Sequence, residues 1–202
     1  MEAGRRRPAF FHERQAEDDM IWIETGTGAG EPVTVAEAKA FLRLERGDED
    51  ALLATLIAAA REAVETETGL VLREARHRIA FEPGAGTRRV ALSRRPVRAV
   101  LEATAFDAAG EPRAIDPAGI AVLNEPLGSV LVLPEVNAAN GVEIELETGI
   151  AAGDLPDSLR LAILRLVAAS YEMRGAVAPA MQPAFVPPLV RGLLAPFRAV
   201  RV

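Results

Sequence analysis

Several residue types are scarce in this 202-residue sequence, which contains no cysteine, one lysine, one tryptophan, one tyrosine and two histidines. The absence of cysteine excludes disulfides, cysteine-ligated zinc sites, thiol catalysis and iron–sulfur ligation. His12 and His77 are too few for a three-histidine metal site, and chemistry that needs a lysine is confined to Lys39. We therefore expect neither a metal centre nor a cofactor.

Long apolar runs are also missing. No uninterrupted apolar stretch reaches the about 18 residues of a membrane-spanning helix, so the sequence predicts no membrane segment. The formal net charge of −6 disfavours binding of nucleic acid or an anionic membrane over the whole surface. A chain of this length fits one domain, or one domain with a sizeable insertion, and can fold without disulfides.

Helical periodicity is found towards both ends of the chain. Thr34 and Glu37 have the spacing of a capping box, in which each residue satisfies a backbone N–H of the other. A longer helix opens with three acidic residues, which the helix dipole favours, and closes at Gly69. The predicted helices are 35–44, 48–69, 156–174 and 189–194.

Between residues 76 and 147 the periodicity changes to two. The clearest strand is 142–147, where apolar residues alternate with Glu143, Glu145 and Glu147. Turn residues separate it from the other candidates. The predicted strands are 77–81, 89–92, 96–106, 120–123, 130–133 and 142–147. Short strands at this spacing favour an antiparallel sheet or sandwich.

The order of these elements predicts an α+β fold, in which N- and C-terminal helices form a small α-helical bundle with an inserted antiparallel β module. Residues 1–31 are predicted to be a disordered or flexible extension, because 1–19 are polar and aperiodic and 26–30 are rich in glycine. The other predicted segments are helices at 32–75, the β insertion at 76–150, a bundle helix at 151–178 and a C-terminal tail at 179–202.

Motifs for catalysis are weak. The Gly26–Gly30 run lacks the Gly-Lys-Ser/Thr ending of a phosphate-binding loop. Glu143, Glu145 and Glu147 could form a general acid–base set, but alternation on a half-exposed strand explains them as well. His77 has no identifiable carboxylate partner. A carboxylate-dependent enzyme stays an alternative interpretation.

Arginines cluster at Arg5–Arg7, Arg88-Arg89 and Arg94-Arg95. Such clusters can contact nucleic acid, but few aromatic residues lie between them for base stacking. Solvated loops or salt bridges at a protein interface explain the arginines more simply. A small nucleic-acid-binding module is therefore a second alternative.

The C-terminal segment has an unusual composition. No Asp or Glu follows Glu172, whereas Arg174, Arg191, Arg198 and Arg201 remain among dense apolar residues. A free tail of this kind would expose apolar area at a cost of about 25 cal/mol per Å². It either folds back on the helices of its own chain or docks on another protein with an acidic groove, and both interpretations stay open.

The motifs together resemble a known family. The run from Pro32 to Leu44, PVTVAEAKAFLRL, is similar to the PVTLxEAKxHLR signature of phage head–tail connector proteins, the adaptors. Segment 56–69 resembles their LIxAAREAVExxTG helix. The later segments 92–100, 156–174 and 194–201 resemble LxxxPVxxV, PxxLxxAILxLVAxxYExR and LLxPYRxxR. The departures are the N-terminal residues before Met20, Phe41 where histidine is common, and Phe197 in place of tyrosine.

The resemblance implies a structural, non-enzymatic protein of a tailed phage or gene transfer agent particle, assembled in the bacterial cytoplasm. Family members form a ring of about twelve copies below the portal and above the stopper or tail. The ring extends the DNA channel, and acidic walls let DNA pass without specific binding. The implied partners are copies of the same chain, the portal protein, and a stopper or tail protein.

The resemblance also assigns roles to residues. In related connectors the C-terminal segment reaches the portal, and the corresponding candidates here are Leu189, Val190, Arg191, Leu193, Leu194, Phe197, Arg198 and Arg201. The candidates for the ring interface or the lumen wall are Glu143, Glu145, Glu147, Arg61 and Glu65.

Overall fold

The structure is a computed structural model that describes residues 20–28, 30–84, 86, 88–125, 128–136, 138–173 and 186–198. The chain divides into two compact units, a β unit of residues 20–28 and 74–149 and a helical unit formed by the described residues of 29–73 and 150–202. The α+β class is therefore confirmed. The predicted disorder of residues 1–19 lies outside the described residues.

The described part of the β unit contains eight strands. They are β1 (Ile21–Thr27), β2 (Ala75–Phe81), β3 (Arg89–Leu92), β4 (Val97–Phe106), β5 (Pro112–Ile115), β6 (Ala121–Glu125), β7 (Gly128–Val132) and β8 (Val142–Thr148). Two antiparallel sheets result, with strand orders β1-β2-β8-β4-β5 and β3-β7-β6.

The two sheets share one apolar core. Side chains at alternate positions point into it, as the period of two requires, and include Ile79, Ile144 and Leu146 from the larger sheet and Val90 and Leu131 from the smaller one. The unit is therefore a small β-sandwich.

Strand β1 corrects the prediction that residues 1–31 are a flexible extension. Residues 21–27 pair with β2 in antiparallel register, from Ile21 opposite Ala80 to Thr27 opposite Ala75. A register shift between Glu24 and Gly26 bulges the strand at Thr25. Gly26 therefore lies within an edge strand, and the backbone N–H of Gly28 also donates to the Glu74 carbonyl, in both cases to a partner about 50 residues away along the chain.

The helical unit contains α1 (Val35–Leu42), α2 (Asp50–Thr68), α3 (Asp157–Met173) and α4 (Pro188–Leu194). The predicted capping box is present at Thr34 and Glu37, and Gly69 ends α2 with φ 69° as expected. Helix α1 is shorter than predicted because Arg43 adopts a left-handed conformation at φ 59°.

One apolar stripe from each helix forms the core of this unit. Leu53, Ile57 and Val64 of α2 face Leu159 and Ile163 of α3, as their helical spacing predicts. None of the described helices is both long enough and apolar enough to cross a membrane.

Candidate interaction surfaces

The acidic row lies on the face of the larger sheet that points away from the sandwich core. Glu143, Glu145 and Glu147 alternate along β8 with buried Val142, Ile144 and Leu146. Since β8 is the central strand, this row runs through the middle of the face, with β2 on one side and β4 on the other. The predicted alternation is thus confirmed, whereas a role in a ring interface or a lumen wall stays a prediction.

Few of these carboxylates are neutralised within the chain. Glu145 accepts a hydrogen bond from the Thr25 hydroxyl at 3.3 Å and lies 3.5 Å from the guanidinium of Arg78. Within the described residues, no ion pair involves Glu143 or Glu147. On this face Arg76 and Arg78 of β2 lie opposite Glu147 and Glu145 in the strand register, so the carboxylate of β8 without an opposed cation is Glu143.

A fourth acidic residue adds to the same face. Glu102 of β4 lies directly opposite Glu145 in the strand register, and no described cation pairs with it. Like charges in directly opposed positions destabilise a sheet. This arrangement is unfavourable for the isolated chain, and a cation from a neighbouring molecule would relieve the repulsion.

A cleft of about 380 Å³ opens at one end of this face. Its lining carries both signs of charge, with Glu74, Arg76, Arg98, Glu145 and Glu147 among the lining residues. Arg98 and Glu74 form an ion pair with each other. The lining contains no histidine, and no three His, Asp or Glu side chains in the described part of the chain are arranged to hold a metal ion. The cleft does bring together Glu145 and Glu147 of the predicted acid–base set, so the carboxylate-dependent enzyme stays an alternative interpretation.

His77 is a structural residue of the sandwich core. It is 2% exposed, and its Nδ1 lies 2.9 Å from the hydroxyl of Thr148. Arg94, which can only donate, lies 3.4 Å from Nε2, so Nε2 accepts and Nδ1 carries the proton. The ring also meets Trp22 edge to face at 5.7 Å. This environment holds the imidazole away from solvent.

The paired arginines of the β unit make contacts within the chain. Arg88 donates to the Leu133 carbonyl, and Arg89 pairs with Glu125 at 3.7 Å. Arg94 lies over the Trp22 ring at 5.6 Å. Burial lowers the pKa of Arg95 from its usual value. These contacts favour packing roles over a nucleic-acid surface.

Arg61 and Glu65, two candidates for the ring interface or lumen, lie instead in an internal ion cluster. The Arg61 side chain is only 8% exposed, and it donates to Glu31 at 2.9 Å and to Glu65 at 2.6 Å. Burial opposes the charged form, but these two carboxylates outweigh it and raise the pKa of Arg61. The guanidinium is thus enclosed by carboxylates of its own chain, and a role for Arg61 at a ring interface or lumen stays a prediction.

Glu65 has a second structural role. Its Oε1 accepts a hydrogen bond of 2.7 Å from the backbone N–H of Leu72, beyond the end of α2. One carboxylate thus connects the Arg61 cluster to the segment that follows the helix. We therefore assign Glu65 to the stability of the helical unit.

The C-terminal segment is divided between core and surface. Val190 and Leu194 are each 1% exposed and belong to the helical core, with Leu193 and Phe197 packed against it. Arg198 reaches Glu67 of α2 at 3.4 Å. The described part of the segment therefore folds back on its own helices, since the spacing of four directs both Val190 and Leu194 inward, and their contact with the portal stays a prediction.

Other candidates in this segment remain on the surface. Leu189 is 60% exposed and Arg191 is also exposed. They precede and follow buried Val190, each about 100° from it around the helix axis. Arg201 lies outside the described residues. Portal contact by Leu189 and Arg191 stays a prediction.

The sequence analysis did not single out the surface of β1. Ile21 and Ile23 are 59% and 54% exposed, and they lie on the same face of the larger sheet as the acidic row. Their alternation with Trp22, whose ring packs against the core, was the available signal. It was overlooked because the glycines after it indicated a linker.

Comparisons with known proteins find a matching family and similar solved structures. A model of the head completion protein family matches residues 31–200. The chain is similar to one in the neck of an empty gene transfer agent particle, computed with C6 symmetry, with 28% identity, TM-score 0.74 and coverage of 90% of this chain and 97% of that chain.

Two further solved structures give the same result. One is the virion of a native gene transfer agent particle, with 29% identity and TM-score 0.74, and the other is the neck of a native particle computed with C12 symmetry, with 28% identity and TM-score 0.71. Coverage is 90% of this chain and 97% of the other chain in both cases. No curated protein matches the chain. Since the family model spans most of the sequence, the chain is a member of the head completion protein family.

Proposed function

We propose that this chain is a head–tail adaptor, a structural protein that forms a ring in the neck of a tailed phage or gene transfer agent particle. The observation that carries the proposal is the similarity over 90% of the chain to chains in gene transfer agent necks computed with C6 and C12 symmetry. A ring of twelve copies agrees with the C12 symmetry. The ring joins the portal above to a stopper or tail protein below.

The role requires no chemistry from the chain. The carboxylates of the cleft in the β unit lie among arginines, with Glu74 in an ion pair with Arg98, and the histidine of that unit is buried in its core. The family description likewise refers to particle completion rather than to a reaction. A non-enzymatic adaptor is therefore the function that the described residues support best.

The acidic face suits a channel that conducts DNA. Glu102, Glu143 and Glu147 have no ion pair among the described residues, and the whole chain carries a net charge of −6. Negative walls repel the phosphate backbone, so DNA slides along them without being held. We assign this face of the larger sheet to the lumen or to the surface around it.

We assign contact with the portal to the exposed residues of α4. Leu189 supplies an apolar side chain and Arg191 a cation, in a segment without carboxylates. An apolar group flanked by an arginine fits an acidic groove on the partner, and arginine is a frequent anchor in interfaces. Deleting the whole segment would not test this, because Val190 and Leu194 belong to the core.

Substitutions in α4 give a cleaner test. We expect Leu189→Asp combined with Arg191→Glu to leave circular dichroism and thermal unfolding unchanged, while the protein no longer co-sediments with portal-containing heads. Glu143→Gln, on the other unit, is the matched control and should bind heads as the unchanged chain does. Normal head binding by the α4 variant would contradict portal contact through this helix.

The adaptor role itself is tested in particles. Cells that lack the protein should accumulate DNA-filled heads and separate tails, and expression of the chain should restore joined particles seen by electron microscopy. Joined particles in its absence would contradict the proposal. Image classification of the restored necks would give the number of copies in the ring.

A further inference from the structure

The open edges of the described sheets differ in their protection. Natural proteins shield edge strands by keeping them short or by placing proline or charge on them. Strands β3 and β5 have four residues each, β5 begins with Pro112, and β6 ends with Glu125 beside Arg89. Strand β1 has seven residues, no proline and two exposed isoleucines. This edge is the one expected to be covered in an assembly.

The opposite edge of the same sheet is β5. Register with β4 places Ala114 opposite Thr104 and Pro112 opposite Phe106, on the face that points away from the core. Both residues are exposed. The face that carries Ile21 and Ile23 at one edge therefore carries two further exposed apolar residues at the other.

Strand direction makes the two edges compatible. Every neighbouring pair in the order β1-β2-β8-β4-β5 is antiparallel, so the first and last strands run in the same direction. When two copies are related by rotation about an axis roughly along the strands, β5 of one copy lies parallel to β1 of the next. Contact between two different surfaces, repeated by rotation, closes a ring.

We propose that β1 of each copy pairs with β5 of the neighbouring copy, so that the larger sheets continue from one copy to the next around the ring. The inference rests on the proposed adaptor function and names the surface through which the copies meet. Backbone hydrogen bonds along β1 supply affinity, and the side chains on each face supply selectivity. The proline at the start of β5 removes one donor at most, which leaves residues 113–115 to pair.

The contact between β1 of one copy and β5 of the next is called the joint below, and the side chains on its outer face are complementary. On the outer face, Ile21 and Ile23 lie against Pro112 and Ala114 of the neighbour, which covers the exposed apolar area. On the other face, Arg113 of β5 already pairs with Asp107 of its own chain at 3.2 Å, so the backbone and the outer apolar side chains carry the joint.

Thiol cross-linking tests the joint directly, because the chain has no cysteine of its own. Particles are assembled with the double variant Ile23→Cys, Ala114→Cys and treated with a short bis-maleimide. On a denaturing gel we expect a ladder of dimers, trimers and higher multiples, since each copy is linked to two neighbours. Either single variant should stay monomeric.

Two outcomes would overturn the inference while leaving the adaptor function intact. Rings visible by electron microscopy without a ladder would mean that the copies meet elsewhere. Dimers from Ile23→Cys alone would mean that β1 pairs with itself. Necks without any ring of this chain would contradict the adaptor function itself, so the two failures are distinguishable.

A charge placed on the edge gives a second measurement. We expect Ile23→Asp to reduce ring formation by about tenfold or more, because the joint would bury a carboxylate against apolar side chains. Thermal unfolding of the free chain should not change, since Ile23 is more than half exposed. Leu123→Asp, at an exposed residue of the smaller sheet, is the matched control. Equal ring formation by both variants would also overturn the inference.

Discussion

Ion pairing differs between the helical unit and the outer face of the larger sheet. In the helical unit, Arg61 is enclosed by carboxylates, Lys39 pairs with Asp50 at 2.9 Å, and Arg160 donates to Glu37 at 2.8 Å. On the sheet face, several carboxylates have no ion pair among the described residues. Charges in the first region stabilise the chain, whereas charges in the second are available to another molecule.

The largest loss of stability is expected for a substitution that disrupts the Arg61 cluster. Arg61→Ala leaves Glu31 and Glu65 facing each other without their shared cation, and we expect a loss of about 4 kcal/mol in the free energy of unfolding. Chemical denaturation followed by circular dichroism measures it. Arg76→Ala, at an exposed arginine of β2 without an ion pair in the described part, should change stability by less than about 0.5 kcal/mol. Similar losses of stability for both variants would contradict the contrast between the enclosed charges of the helical unit and the exposed charges of the sheet face.

The next largest loss of stability is expected for a buried residue of α4, in contrast to an exposed residue of the same helix. Leu194→Ala removes a side chain that is 1% exposed in the helical core, and we expect a loss of about 3 kcal/mol. Leu189→Ala, five residues earlier and 60% exposed, should lose less than about 0.5 kcal/mol. Differential scanning calorimetry of the two variants measures this. Equal melting temperatures would mean that α4 does not pack on its own unit in solution.

Local sequence signals predicted much of the fold. The capping box at Thr34 and Glu37, the apolar stripe of α2 and six of the eight described strands depend on residues close together in sequence, and all are present. Strands β1 and β5 were missed. The glycines after Trp22 indicated a linker in place of β1, and β5 has only four residues, of which Ile115 alone is buried.

The candidate site was predictable only in part. The acidic alternation along β8 fixed which residues share a face, because a strand has a strict period of two. Composition could not show that Arg61 is enclosed, since Glu31 lies 30 residues away. Composition also could not show which apolar residues of the C-terminal segment lie in the core and which stay exposed. The spacing of Val190 and Leu194 was nevertheless consistent with one buried helix face.

A smaller effect is expected at the N-terminus of α1. Glu37 accepts hydrogen bonds of 2.7 Å from both the N–H and the hydroxyl of Thr34. The Thr34 backbone N–H first, then its hydroxyl and Arg160, lower the pKa of Glu37 below its usual value of 4.5. Thr34→Ala should destabilise the chain by about 1 kcal/mol, measured by urea denaturation at neutral pH.

The same contacts predict a pH dependence with a definite sign. A carboxyl whose pKa is lowered by folding contributes stability above its unfolded pKa, and this is lost as the pH falls through the folded value. The unchanged chain should therefore be more stable than Glu37→Gln at pH 7, and the difference should shrink below about pH 4. A difference independent of pH would show that ionisation of Glu37 does not support the cap.

The smallest effect on stability is expected on the sheet face, where removal of a carboxylate should not destabilise the chain, in contrast to the helical unit. Glu102→Gln removes a charge directly opposite Glu145, so we expect no loss of stability and a gain of up to about 0.5 kcal/mol, measured by denaturation at low salt. The gain should vanish at high salt, because exposed charges are screened. Glu31→Gln, in the Arg61 cluster, is the matched change on the helical unit and should lose stability under the same conditions. A loss with Glu102→Gln would mean that this carboxylate already has a stabilising partner within its own chain and is not held in reserve for a neighbour.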